Sequence, residues 1–518
     1  MTDVAARSPD RLGRVLDAVE RAGNAIPHPA LLFLWLAVGV LLVSALGQAL
    51  GWSAVNPATG ETVEAVSLLS RAGVQEMLTG AVTNFTGFAP LGVVLVAMLG
   101  IGVAEHSGLL ATLLTRFASA VPARALAASI LFAGVLSSIG GDAGIVVLPP
   151  LAASLFLAAG RHPIAGLVTA YVGVAAGFTA NLLIGPTDAL LAGLSTEAVA
   201  LVDPAYRVTA AGNWWFVIAS TFLVTAVCAL VTERIVEPRL GAFHTSAATE
   251  VPGADSGDST GDDADAQRRG LRAAGLVSLV LAALLLAALV PEQGVLRDPQ
   301  TRSIVASPFM DGIVVVIAFW AAACGVAYGN ATGRFRSAAD AIVGMEATMR
   351  VLAAYLVLIF FAAQFVTWFG ASRLGTILAI RGADALQALD VGPTPLLLAF
   401  VLLVATLNLF IGSQSAKWAV LGPVFIPMFY LVGISPEATQ MAYRIGDSTT
   451  NVITPLIPYL ALVVTIARRY EPRTGIGTLM AAMLPYSVAL LLAWSVLLAL
   501  WILFDVPLGP GASILLPR

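Results

Sequence analysis

The chain has 518 residues, of which 58% are hydrophobic and 11% charged, with a formal net charge of −4 and a mean hydropathy of +0.89. An ordinary soluble domain carries about 25% charged residues, so this composition excludes a water-soluble fold, and no nucleic-acid partner is expected. Cys228 and Cys324 lie inside apolar runs, with no motif spacing to each other or to His28, His106, His162 and His244. That argues against a structural metal or a disulfide framework, and no cofactor is expected.

Along the chain, residues 1–28 carry Arg7, Arg11, Arg14 and Arg21 ahead of an apolar run that continues past signal-peptide length. This reads as a retained cytoplasmic tail. About 20 apolar residues are needed to cross a bilayer. Nine such spans are predicted, at Pro29 to Gly51, Asn84 to Glu105, Ile164 to Leu194, Asn213 to Val236, Leu271 to Val290, Phe309 to Tyr328, Glu346 to Phe369, Glu437 to Ile466 and Leu479 to Phe504.

Two further apolar stretches, about 123–160 and 393–430, are interrupted by polar, glycine-rich tips: Ser137-Ser138-Ile139-Gly140-Gly141-Asp142 and Ile411-Gly412-Ser413-Gln414-Ser415. Arms of about 15 residues reach only about 22 Å at 1.5 Å per residue, so each stretch is predicted to enter and leave on one side. Irregular backbone at that depth requires protein or water to satisfy it. With both stretches non-crossing, the group Arg234, Arg239, Arg268, Arg269 and Arg272 falls on the cytoplasmic side, as the positive-inside rule requires. The N-terminus is then inside and the C-terminus outside.

The polar segment around His244 to Arg269 is rich in Ser, Gly, Thr and Asp, and predicts a disordered cytoplasmic linker, 237–270. It separates a first repeat, 29–236, from a linking helix and second repeat, 271–518. Matches recur at near-constant offset: Ile139-Gly140 with Ile411-Gly412, Pro150 with Pro423, Pro163 with Pro436, Thr179 and Asn181 with Thr449 and Asn451, and Pro186 with Pro455. Hairpin, helix and break recur in one order while the charge pattern gives the halves opposite orientation, the inverted repeat of many secondary transporters. The predicted fold class is an all-α polytopic membrane protein, with about nine transmembrane helices plus two re-entrant hairpins and broken helices.

The breaks, predicted at Gly177 to Asp188 and at Gly446 to Pro455, supply freed backbone groups and hydroxyl or amide side chains. Such groups hold small cations and anions, although proline kinks satisfied by neighbouring helices would read the same way. Thr179, Asn181, Thr450 and Asn451, with Gly140, Asp142, Asp188 and Asp447, form the candidate cation set. The coupling ion is H+ or Na+.

Arg444 at bilayer depth costs about 2.5 kcal/mol or more without a partner. Its partner is either Asp447, three residues on and on one helical face, or a solute carboxylate gripped in bidentate fashion. Lys417, the only lysine, could snorkel, and Trp418 could stack on a ligand or simply pack. Ser413 and Ser415 offer hydroxyls. Asp142 could be a turn residue, and Asp188 a helix cap. An intramembrane aspartyl enzyme using Asp142 and Asp447 is disfavoured, because neither acid lies in a Gly-x-Gly-Asp run. A channel is disfavoured by the absence of a ring-forming selectivity segment.

The stretch Gly412 to Trp418, then Pro436, then Tyr443 to Pro455, together with Asn24 to Pro29, resembles the aminobenzoyl-glutamate transporter family over nearly the whole chain. The resemblance implies a dimeric bacterial inner-membrane transporter with nine transmembrane helices and two hairpins, some members exporting sulfonamide antimetabolites and others taking up aminobenzoyl-glutamate. It places solute-site positions at Asp188, Ser415, Trp418, Pro436, Arg444 and Asp447, joined on the residue reading by Ser413, Asn181 and Asn451. The fold also resembles dicarboxylate transporters in which a hairpin-bearing domain slides against a dimeric scaffold. Expected partners are a small solute, membrane lipid and a second copy of the chain.

Overall fold

The computed structural model describes residues 29–55, 60–119, 125–138, 143–241, 243, 261–304, 307–454, 459–472 and 474–516. The tail 1–28, the tip residues Ile139, Gly140, Gly141 and Asp142, most of the expected linker, and Pro455 lie outside them. What is described is a multi-pass helical membrane protein. Seven helical segments among the described residues are long and apolar enough to cross a bilayer: Ala30–Ala49, Arg71–His106, Trp214–Leu240, Ala264–Leu289, Ile313–Thr332, Ala353–Ala371 and Ile476–Leu503. On Ala264–Leu289, the side chains of Leu276, Leu279, Val280, Leu284 and Leu286 are exposed. An apolar face of that size suits lipid rather than water.

Each half repeats one arrangement. In the first, Leu126–Ser137 and Ala143–Ala158 both pack on Pro163–Ala175; in the second, Pro393–Asn408 and Gln414–Leu431 both pack on Pro436–Thr450. These flanking helices hold 12 to 18 residues, about 18 to 27 Å of rise, short of the roughly 30 Å hydrocarbon core. The second arms carry prolines at Pro149 and Pro150 and at Pro423 and Pro427. Each proline removes a backbone donor and bends the helix it occupies.

Close helix approach is obtained with glycine, the small-residue packing that substitutes in lipid for a hydrophobic driving force. A Cβ on Gly134 would lie 2.8 Å from the backbone of Gly173, one on Gly100 would strike the Ala318 carbonyl, and one on Gly446 would come 2.5 Å from the Val401 carbonyl. The halves interlock: Pro186–Val199 packs against Ala89–His106 of its own half and against Gln414–Leu431 and Pro436–Thr450 of the other.

The structure corrects several expectations. The break in the second half starts at Asn451, where a single 3₁₀ turn, Asn451–Ile453, follows the helix Pro436–Thr450. Gly446 is therefore not a breaker but a contact residue inside the helix. The predicted span Glu346 to Phe369 is two helices, Ala338–Val351 and Ala353–Ala371, and Phe309 to Tyr328 is a short turn, Pro308–Asp311, followed by Ile313–Thr332.

Helices Arg71–Thr86, Leu109–Ser119 and Leu374–Ala388 were not predicted; polar and charged residues in them lower their hydropathy below that of a span. The described edges of the expected linker are helical rather than disordered: Glu237–Leu240 extends the preceding helix and Gly261–Leu289 begins ten residues before the boundary at 271. Ser53–Val55 and Thr62–Glu64 form a small antiparallel ribbon, Ser53 opposite Glu64.

Candidate functional site

The first break is built where Pro163–Ala175 ends and Pro186–Val199 begins. Proline at the first position of each helix has its backbone angle preset and has no N–H to leave unpaired. Between the two helices, Asn181 Oδ1 accepts from the Leu182 and Leu183 amides at 2.8 and 3.2 Å, while its Nδ2 donates to Ser138 Oγ at 2.8 Å, at the end of the first hairpin arm. Asp188 Oδ2 accepts from the Gly185 amide at 2.7 Å, so the carboxylate does cap its helix. Its other oxygen is free to do something else.

That oxygen meets Arg444. Arg444 Nη2 lies 2.6 Å from Asp188 Oδ1 and donates to the Thr179 carbonyl at 2.9 Å. Both side chains are buried, at 2% and 10% exposure. Of the two partners considered for Arg444, Asp447 is therefore not the one it meets. One helical turn brought those residues together in sequence, but the freed carbonyl and the acid of the opposite half offer the guanidinium a better cradle. Among the described residues Arg444 Nε, also buried, has no hydrogen-bond partner. Thr179 Oγ1 and Ser448 Oγ, 2.5 Å apart, close the same seam between the halves.

Asp447 is paired instead with Lys417, at 2.7 Å and with both side chains 1% exposed. Lys417 does not snorkel. Its ammonium also donates to Asn408 Oδ1 and to the Ile411 carbonyl at 3.2 Å. Asp447 Oδ2 accepts from Gln414 Nε2 at 3.0 Å.

Asn408, which the sequence reading missed, ties the group together: its Nδ2 donates to the Asp447 carbonyl at 2.6 Å and to Thr450 Oγ1 and Asn451 Oδ1, both at 2.9 Å. The available signal was an amide closing an otherwise apolar arm. Asn451 Nδ2 reaches the Ala175 carbonyl across the seam at 3.1 Å.

Trp418 is fully buried, its ring 4.4 Å from that of Tyr443 between centroids, and its Nε1 donates to Ser195 Oγ at 3.0 Å. Ser413 caps Gln414–Leu431 by accepting from the Ala416 amide, and Ser415 Oγ lies 3.5 Å from Ser413 Oγ. Pro436 opens the helix that carries Arg444 and Asp447. It sits about two turns, roughly 12 Å, from Arg444, so it does not join the ion-pair cluster. Gly140 and Asp142 fall outside the described residues.

The family model described as "AbgT putative transporter family" matches residues 14–516. The p-aminobenzoyl-glutamate transport protein of Escherichia coli (strain K12) is 40% identical over 504 residues, 97% of each chain. Two solved structures share the fold. The Alcanivorax borkumensis YdaH transporter, described as having an unusual topology, has a TM-score of 0.88 and 53% identity over 93% of this chain and 100% of its own. Neisseria gonorrhoeae MtrF, described as illuminating a class of antimetabolite efflux pumps, has a TM-score of 0.89 and 41% identity over 96% of this chain and 100% of its own.

Proposed function

Because the chain belongs to the AbgT family, whose named relatives are transporters and efflux pumps rather than enzymes, we propose that it is a secondary active carrier of small aromatic solutes bearing carboxylates. Aminobenzoyl-glutamate and sulfonamide-type antimetabolites are the solute classes, and H+ or Na+ is the coupling ion. The carrying observation is the half-used guanidinium of Arg444: Nη2 holds Asp188 and the Thr179 carbonyl, while the buried Nε has no partner among the described residues.

A carboxylate binds the Nε and Nη edge of a guanidinium through two parallel hydrogen bonds. A solute carboxylate taking that edge displaces Asp188, and the freed Asp188, beside the Asn181 turn, then takes the coupling cation or proton. Solute and ion are linked because one acid answers to both.

The two short helical pairs act as re-entrant hairpins whose tips, 137–142 and 411–415, meet near the bilayer midplane. The hairpin-bearing unit moves against a dimeric scaffold in the bacterial inner membrane, with the N-terminus cytoplasmic and the C-terminus outside. Counterflow of labelled aminobenzoyl-glutamate and of a sulfonamide in proteoliposomes, with sodium and proton gradients imposed separately, tests the reading. Arg444→Ala abolishes both fluxes while the protein still inserts; unchanged fluxes in Arg444→Ala and Asp188→Asn would sink it.

A further inference from the structure

The helix Pro436–Thr450 carries a polar stripe whose outer part the solute exchange at Arg444 leaves unused. Glu437, Gln440, Arg444 and Asp447 follow at spacings of three, four and three residues, which places them on one helical face. All four are buried, at 4%, 2%, 2% and 1% exposure. The helix Pro186–Val199 and the connection after it meet this stripe in order. Asp188 takes Arg444 at 2.6 Å, Ser195 Oγ lies 3.4 Å from Gln440 Oε1, and Tyr206 OH donates to Glu437 Oε2 at 2.9 Å. One seam thus runs roughly 10 Å along the helix axis from the Asp188–Arg444 pair to Glu437.

Glu437 differs from the other buried charges of the seam. Asp188, Arg444 and Asp447 each face an opposite charge, whereas among the described residues no ion pair includes Glu437. Gly212 closes over its carboxyl, where an added Cβ would lie 2.9 Å from Glu437 Cγ. Tyr206 meets Tyr430 edge to face, with centroids 5.6 Å apart, and Tyr430 OH donates to Asp203 Oδ2 at 2.6 Å. Asp203 adjoins the exposed Pro204, Ala205 and Arg207. The titratable groups on this side are therefore Tyr206, Asp203, Arg207 and Tyr430. The other elements packed here bring none to Glu437: Glu197 is turned to the Ala89 amide, Tyr486 of Ile476–Leu503 is held by Thr232, and neither Pro393–Asn408 nor the segments 209–212 and 508–515 contain one.

Burial without a countercharge penalises an ionised carboxyl, and the neutral acid still accepts the Tyr206 hydroxyl. We propose that Glu437 is a proton-binding site of the carrier, filled from the face of Asp203 and Tyr430, the proton settling on the carboxyl oxygen that Tyr206 leaves free. Hydronium in the bathing water gives up the proton, one O–H bond forms at Glu437, and nothing else is broken. The seam ties this event to the solute: moving Asp188 off Arg444 disturbs its inner end, and the Tyr206 contact with Glu437 is its outer end. This deepens the carrier reading by naming a group through which H+ couples, and rests on that reading for the coupling alone.

The test reads protonation directly. Full-length protein in detergent is stepped from about pH 8 to about pH 5 while the infrared carbonyl band of protonated carboxyl groups is followed. An ordinary glutamate fills mostly below that range, near about 4.3. The native chain gains a band that Glu437→Gln lacks, and the difference between the two titrations belongs to Glu437. Tyr206→Phe removes the hydroxyl that favours the anion, and moves the midpoint of that gain to higher pH.

A carboxylate that merely caps the start of its helix and accepts from Tyr206 stays ionised throughout, and the native and Glu437→Gln titrations then coincide. That result overturns the proposal. Where Glu437→Gln does not fold, Tyr206→Phe decides, and a midpoint that stays in place overturns the proposal equally. No solute enters this assay, so a failure of counterflow leaves the proton site standing, and a failure here leaves the counterflow reading standing.

Discussion

Arg444 and Asp188 should show a large coupling energy in a double-mutant cycle. Their charged atoms are 2.6 Å apart with side-chain exposures of 2% and 10%. With an effective dielectric near 20, the gross attraction at that distance is about 6 kcal/mol, from which desolvation of both groups subtracts. Removing one partner leaves the other buried and uncompensated, so Arg444→Gln and Asp188→Asn should each cost about 3–5 kcal/mol. The double variant should cost less than the sum of the two by about 2–3 kcal/mol.

Reversible unfolding in mixed micelles gives the four free energies. The control cycle is Arg444 with Asp447, neighbours on one helix whose charges are committed elsewhere, Asp447 to Lys417. Its coupling should be well below that of the first cycle. A larger coupling for 444 with 447 than for 444 with 188 would refute the partner exchange on which the solute mechanism depends.

Gly446→Ala should destabilise the protein by about 1–3 kcal/mol through overpacking, because the added methyl meets the Val401 carbonyl at 2.5 Å; an unchanged unfolding midpoint would contradict that close approach. Acid sensitivity should appear at the mouth of the first broken span. His162 caps Pro163–Ala175 by accepting from the Ile164 amide at 3.3 Å through Nδ1, and its Nε2 lies 3.2 Å from Glu471. Burial outweighs the pull of Glu471 and Glu237 and holds the imidazole below its usual 6.5. The folded chain then resists a proton that the unfolded chain accepts, so this group leaves stability unchanged above about 6.5 and lowers it as pH falls through that value. Unfolding midpoints from about pH 7.5 to about pH 5 should fall less steeply for His162→Gln; parallel curves would exclude the effect.

Much of the membrane architecture was legible because it follows from run length. Stretches of about 20 apolar residues stand out, and each of the two stretches split by polar tips contains a pair of short helices. Helices such as Arg71–Thr86 and Leu374–Ala388 were not legible, since Arg71, Glu76, Arg381 and Asp384 give them the look of loops.

At the candidate site the residues with chemistry were visible but their pairing was not. Arg444 and Asp447 share a helical face, and local spacing favoured their union, yet each is claimed from a distance, one by Asp188 in the other half and one by Lys417 past the second tip. Asn408 was overlooked because one amide in an apolar arm carries no periodic signal. What it does depends on three partners on the helix Pro436–Thr450 and the turn that follows it.

The seam between the halves also sets a problem for biosynthesis. Thr179 waits for Arg444, 265 residues later, and for Ser448, 269 residues later. At about 5–20 residues per second of synthesis, the buried acid of the first half resides in lipid for roughly 13 to 50 s before its countercharge exists. A nascent chain arrested within that interval carries Asp188 unpaired and the flank of Pro186–Val199 uncovered, the kind of intermediate that membrane insertases must shelter and quality-control proteases degrade.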